Sequence, residues 1–182
     1  MKRIATLALV LGCAVAVPSF AAMKPGDMAP DFTAPAAVGG EAFQFSLASA
    51  LKKGPVVLYF FPKAFTKGCT AEAHAFAEAA EHFKAEGATL IGMSSDSIET
   101  LHKFSIQECS AKFPVAADPD LKIIRSYDTV LTTQSGATVA DRVSYVIASD
   151  GKIAFVHADR SPDKHVETTL AAVKELQAKA KK

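Results

Sequence analysis

VVLYFFPKAFTKGCTAE, residues Val56 to Glu72, is the stretch on which the fold turns. Val56 to Phe61 is an unbroken apolar run of strand length. A strand with one wet face alternates polar and apolar residues, so this run predicts a strand buried on both faces, at the centre of a sheet. Pro62 closes it, having no N–H to give a ladder. After a short loop, Cys69 to Glu86 is rich in alanine and free of breakers. Ala73, Phe76, Ala80 and Phe83 recur at helical spacing, and Gly87 supplies the stop. Cys69 is therefore expected at the N-terminus of a helix that follows a central strand.

Outward from there, strands and helices alternate. Thr89–Ser94 reads as a strand, Ser97–Ser110 as a helix, Phe113–Ala117 as a short strand and Asp120–Tyr127 as a short helix. Val143–Ala148 and Ile153–His157 read as two strands joined by a turn at Asp150-Gly151. A last helix is expected from Ser161-Pro162, with Val166, Leu170, Val173 and Leu176 on one stripe. Met23 to Phe45, rich in Pro, Gly and Ala, predicts an irregular entry with a small edge hairpin around Gly39-Gly40. Right-handed crossovers make the early strands parallel, and the late hairpin adds antiparallel pairing. The expected fold is α/β, a central mixed sheet with helices on both faces, the layout of a thioredoxin-like domain. It fills residues 22–182 as a single domain.

Residues 1–21 have the pattern of an export signal. Lys2 and Arg3 form a basic start, Ile4 to Val17 is apolar but too short to span a bilayer, and Ser19-Phe20-Ala21 offers small residues at the cleavage positions. Cleavage is expected after Ala21, with a periplasmic location for the mature chain. Val10-Leu11-Gly12-Cys13 approximates a lipoprotein box that would lipidate Cys13, but the apolar run continues past it. The formal charge of the chain is +1, and losing Lys2 and Arg3 takes it to −1. Neither value creates a field that gathers nucleic acid or acidic membranes. The Lys179, Lys181 and Lys182 end reads as a solvated tail.

Of three cysteines, two remain after cleavage, Cys69 and Cys109, in a compartment that oxidises thiols. Two are too few for a disulfide scaffold, so they form one bond or at least one serves chemistry. A free thiol of pKa ~8.5 is mostly protonated at neutral pH, and a helix N-terminus with a nearby cation favours the thiolate. Cys69 has that position. Thr66, three residues earlier, can offer a hydroxyl to the same pocket. Pro62 stiffens the loop and can shield the sulfur from water.

The P-x-x-x-T-x-x-C spacing of Pro62, Thr66 and Cys69, set after Tyr59-Phe60-Phe61, resembles the active site of the peroxiredoxin family. The continuation Cys69-Thr70-Ala71-Glu72-Ala73 is similar to its bacterioferritin comigratory protein, or PrxQ, subgroup; the likeness runs from about Ala29 to Leu176. It implies a thiol-dependent peroxidase acting on hydrogen peroxide and organic hydroperoxides, with no cofactor. Cys69 would be the peroxidatic nucleophile, cycling through sulfenic acid, with Thr66 orienting the peroxide and Pro62 shielding the pocket. The family's arginine from a later strand corresponds to Arg142. Glu72, one turn beyond Cys69, either holds that arginine or is simply a carboxylate favoured at a helix start. Many members carry a resolving cysteine five residues past the first; here that place is His74. Cys109, expected on one stripe of its helix with Ile98, Leu101 and Ser105, is the remaining candidate, the alternative being a small buried hydrophobe.

The implied partners are a hydroperoxide and a thioredoxin-like or other thiol reductant, with no nucleic acid, no membrane span, and a monomer or weak dimer as the assembly. Two exported alternatives share the fold. A thiol-disulfide oxidoreductase would need a cysteine at Thr66 and a proline shortly before Val143, and neither is present. A copper-binding module would carry two cysteines in the first loop, and the scattered His74, His82, His102, His157 and His165 form no pair with metal-ligand spacing.

Overall fold

The computed structural model describes residues 22–180; the expected export segment 1–21, with Cys13, lies outside them. Val56–Phe60 forms the central strand, and every residue in it is buried. In chain order the elements are β1 (Thr33–Val38), β2 (Glu41–Ser46), α1 (Leu47–Leu51), β3 (Val56–Phe60), α2 (Lys67–Ala85), β4 (Thr89–Ser94) and α3 (Ile98–Gln107). There follow β5 (Val115–Ala117), α4 (Lys122–Ser126), β6 (Val130–Thr132), β7 (Thr138–Ala140), β8 (Val143–Ile147), β9 (Ile153–Ala158) and α5 (His165–Ala180). Seven strands make one sheet in the order β2-β1-β5-β4-β3-β8-β9. β3, β4 and β5 run parallel, while β1 joins β5, and β8 joins β3, antiparallel.

Alternation along the strands sorts the core into two layers. Val57, Tyr59 and Phe61 face the layer built from Phe76 and Phe83 of α2, Leu101 and Phe104 of α3, and Val173 of α5. Val56, Leu58 and Phe60 face the opposite layer, with Leu47 and Ala50 of α1, Ile124 of α4, Phe32 and Tyr127. Helices therefore cover both faces, as in the thioredoxin-like class expected from the sequence. Among the described residues no helix is long and apolar enough to cross a membrane.

The differences from expectation lie at element ends. α2 begins at Lys67, with Thr66 as its N-cap residue, so Cys69 is the third helical residue rather than the first. α3 ends at Gln107, not Ser110. The Cys109 N–H closes on Phe104 O at 3.1 Å, and Ser110 and Ala111 turn left-handed at φ 49° and 54°. This is a helix stop built without glycine. Cys109 thus lies beyond the helix instead of on its stripe. α5 begins at His165, not Ser161; the Ser161 hydroxyl closes a local turn ahead of it, donating to Asp163 Oδ2 at 2.8 Å and accepting from Asp163 N–H at 3.4 Å. The β6–β7 hairpin was not anticipated; its strands have three residues each, too short for periodicity to show.

Tyr59 pairs with Gly92 of β4 in the parallel register and stacks on Phe76 with ring centroids 4.4 Å apart. A Cβ at residue 92 would stand 2.7 Å from the Tyr59 ring. Gly92→Ala is expected to lose about 1–3 kcal/mol by overpacking, read from the urea midpoint. An unchanged midpoint would show that the ring has room to move.

Candidate active site

The loop between β3 and α2 is tied down from β4. Phe61 N–H bonds Met93 O at 3.0 Å, extending the pairing past the end of β3. Ala64 N–H then donates to Asp96 Oδ2 at 2.7 Å, and the same oxygen accepts from Ser94 Oγ at 2.9 Å. The loop reverses through Phe65, whose φ is 63°. The Thr66 hydroxyl donates to Lys63 O at 2.9 Å and makes no side-chain cap bond. α2 starts with Thr70 N–H to Thr66 O at 2.8 Å. The amides of Lys67, Gly68 and Cys69 thus belong to the helix end that carries partial positive charge and lacks intrahelical acceptors. Cys69 itself is buried.

Arg142 arrives from the other side of β3. The antiparallel register sets Val143 opposite Phe60, so residue 142 lies level with the point where β3 enters the loop. Its guanidinium donates from Nη2 to Cys69 Sγ at 3.4 Å, from Nη1 to Glu72 Oε2, and from Nε to Arg160 O at 2.9 Å. Gly68 gives it room, since a Cβ there would be 3.2 Å from Nη2. Arg142 is 6% exposed and Glu72 not at all. Burial works against the charge on Arg142, but Glu72 and Cys69 outweigh it and push its pKa up. Burial also lifts the Glu72 carboxyl to about 8, although Arg142 pulls the other way.

Behind Glu72 lies His165, the first residue of α5, also fully buried. Its Nε2 is 2.8 Å from Asp159 O, its Nδ1 2.8 Å from Ser144 Oγ and 3.7 Å from Glu72 Oε1. A carbonyl can only accept, so Nε2 carries hydrogen and neutral Nδ1 accepts from Ser144. Burial holds His165 down to about 4; the Asp159 carbonyl opposes this, and His157 and Arg142 reinforce it.

The structure thus brings Cys69, Arg142 and Glu72 into contact, with Thr66 exposed and Pro62 half-buried on the adjoining loop. Cys109 is buried in the same core layer with no disulfide to Cys69, and its thiol is pushed up by burial and by Glu108. His74, exposed on α2, bridges to Glu108 at 2.7 Å and so fastens α2 to the segment bearing Cys109. Among the described residues no three His, Cys, Asp or Glu side chains converge as a metal site. Sequence reasoning missed Asp96, Gly68, Ser144 and His165. Only Asp96 carried a signal, since it follows the carboxyl end of a parallel strand, where such folds place their sites.

The profile of the AhpC/TSA family matches residues 25–156. The chain is similar to chloroplastic peroxiredoxin Q of Sedum lineare, 32% identical over 158 residues, covering 86% of this chain and 81% of that protein. It is also similar to chloroplastic peroxiredoxin Q of Populus jackii, 31% identical over 158 residues, 86% and 71% of the two. Among solved structures, peroxidoxin BcpB of Mycobacterium tuberculosis superimposes with a TM-score of 0.76 at 29% identity, over 85% of this chain and 98% of that one. Peroxiredoxin Q of Xanthomonas campestris gives 0.69 at 25% identity, over 79% and 90%.

The two buried groups set opposite pH limits on stability. His165 is depressed from 6.5 to about 4, so its contribution is full above 6.5 and is lost as pH falls through about 4. Glu72 is raised from 4.5 to about 8, so its contribution is full below 4.5 and is lost as pH rises through about 8. Urea unfolding across that range is expected to show His165→Asn flattening the acid limb and Glu72→Gln the alkaline limb. Parallel curves for all three proteins would refute the assignment.

Proposed function

We propose, from the premise that the chain belongs to the AhpC/TSA family, that its thiol-dependent peroxidase activity is carried by Cys69. The observation that carries this is the Arg142 guanidinium, set 3.4 Å from Cys69 Sγ and held on its other side by Glu72. The Cys69 thiolate attacks one oxygen of a hydroperoxide in line. The S–O bond forms, the O–O bond breaks, and water or an alcohol leaves a sulfenic acid behind. Arg142 cannot lose its proton in this setting, so it stabilises both the thiolate and the charge developing on the leaving oxygen. Thr66 orients the peroxide with the lone pairs its oxygen retains, and half-buried Pro62 limits water at the sulfur.

Reduction of the sulfenic acid falls to a thiol, with a thioredoxin-type protein as the final reductant. We assign the resolving role to Cys109. A disulfide needs the two Cα atoms ~4.4–6.8 Å apart with the sulfurs in bonding contact, and because Cys109 is buried the segment after α3 leaves the core to reach that geometry. Support comes from the strained stop at Ser110 and Ala111, because non-glycine residues in the left-handed region are relieved by unwinding. The site of action is the periplasm, reached through the signal pattern of residues 1–21. The assembly is a monomer or weak dimer.

Cys69→Ser is expected to abolish peroxide consumption; retained turnover would remove the nucleophile assignment. Arg142→Met should lower kcat/KM by roughly 10²–10³ through lost charge stabilisation, with the folded structure checked by circular dichroism. For Cys109, mass spectrometry after one equivalent of peroxide should find an intramolecular disulfide. Normal thioredoxin-driven turnover of Cys109→Ser would instead make the enzyme a one-cysteine type.

A further inference from the structure

With Cys69 read as an ionised nucleophile, the buried cluster around it has a strict charge balance. It holds a single cation, Arg142, against two groups that can be negative, Cys69 and Glu72. All three are buried, and an uncompensated charge there is expensive, so the cluster should keep one negative charge and not two. While Cys69 is a thiolate, a proton must therefore reside on the carboxyl.

Glu72 is built to carry it. Oε2 accepts from Arg142, but Oε1, on a carboxyl with no exposed surface, has no hydrogen-bond partner among the described residues. His165 Nδ1 stands 3.7 Å from it and is an acceptor because Nε2 is committed to the Asp159 carbonyl. An ionised Oε1 would face the acceptor side of Nδ1 with no donor to meet it, whereas a protonated Oε1 needs only a small turn of the carboxyl to donate to Nδ1 in place of the Ser144 hydroxyl, which is free to rotate away. Ser144 Oγ, now donating to Nδ1, can reverse and accept if Nδ1 becomes protonated. The other titratable groups near Glu72 are Tyr59 from β3, whose pKa burial drives up with Cys109, Glu72 and Cys69 adding to it, and His157 of β9, which packs edge-on against His165 at 4.5 Å. Neither is placed to give Oε1 a hydrogen bond.

We propose that Glu72 and His165 hold between them the proton that keeps the site neutral while Cys69 is ionised, and release it when Cys69 is oxidised. The balance is closed. Thiolate, Glu72 carboxylic acid and ROOH become sulfenic acid, Glu72 carboxylate and ROH. The sulfur loses two electrons to the peroxide, the departing oxygen leaves with the electron pair of the broken bond, and it gains one proton while Glu72 loses one. Arg142 then pairs with Glu72 instead of with sulfur. The proton lost by Glu72 matches the one the departing oxygen gains, so the site takes none from solvent, and until then Nδ1 of His165 shares it with the carboxyl. The direction of both shifts, Glu72 up to about 8 and His165 down to about 4, agrees with the proton resting on the carboxyl. Glu72 and His165 are here positioning residues that act through Arg142.

The test is proton stoichiometry. In Cys109→Ser protein, where oxidation stops at sulfenic acid, peroxide is added at about pH 7 in weak buffer with an indicator dye, and sulfenic acid is counted with dimedone. With Glu72 present, uptake from solvent should be close to none. With Glu72→Gln added, about one proton per sulfenic acid should be taken up. Uptake of one proton with Glu72 present overturns the inference, as does an equal value in both proteins. Absence of sulfenic acid instead removes the reading of Cys69 on which it rests. If Glu72→Gln does not fold, infrared difference spectra with Glu72 intact decide. The carbonyl band of a protonated carboxylic acid must disappear on oxidation, and its persistence or prior absence overturns the proposal. In His165→Leu that band should move to higher frequency for want of its acceptor; an unmoved band removes His165 from the pair.

Discussion

The guanidinium of Arg142, shared between the sulfur of Cys69 and the carboxyl of Glu72, is the contact on which the rest of the site depends. It is buried, so each member needs the others. A lone guanidinium or carboxyl in this layer would be driven toward neutrality or would destabilise the fold. Several scaffold features serve that contact. The β3–β8 register brings residue 142 level with the loop, Gly68 leaves the guanidinium room, and the Arg160 carbonyl fixes its third direction. Asp96 anchors the loop that leads to α2, so the first helical turn presents Cys69 at a set depth.

The same architecture sets the two thiols in different surroundings. Cys69 lies against charge and the amide end of α2, whereas Cys109 lies in apolar surroundings where burial favours its neutral thiol. Its segment is pinned by the His74–Glu108 bridge and by the Cys109 N–H bond to Phe104 O. The two thiols thus share one core layer in different electrostatic environments, and a bond between them requires local opening rather than a rearrangement of the sheet.

Legibility in the sequence followed the range of the interactions. The central strand, the Gly39-Gly40 hairpin and the body of α2 were readable because periodicity and turn residues are local signals. α3 stops short of the expected Ser110 because Ser110 and Ala111 turn left-handed without being residues that announce such a stop, and α5 starts at His165 because Ser161-Pro162, which resembles a cap, closes a local turn with Asp163 instead. Arg142 was singled out through family resemblance and not through any property of its neighbours. His165 was passed over because a histidine on an amphipathic helix has many uses, and its buried partners come from β8, α2 and the segment before α5.

By itself the sequence determined the strand, loop and helix around Val56 to Glu86, and with them a cysteine in the first helical turn, since backbone preference and hydrophobic spacing act over a few residues. Only the tertiary structure decided that Arg142 and Glu72, 70 residues apart, would meet, with His165 behind them. That meeting depends on strand register and on the packing of α5 against the sheet, where a shift of a single residue would turn Arg142 to the other face.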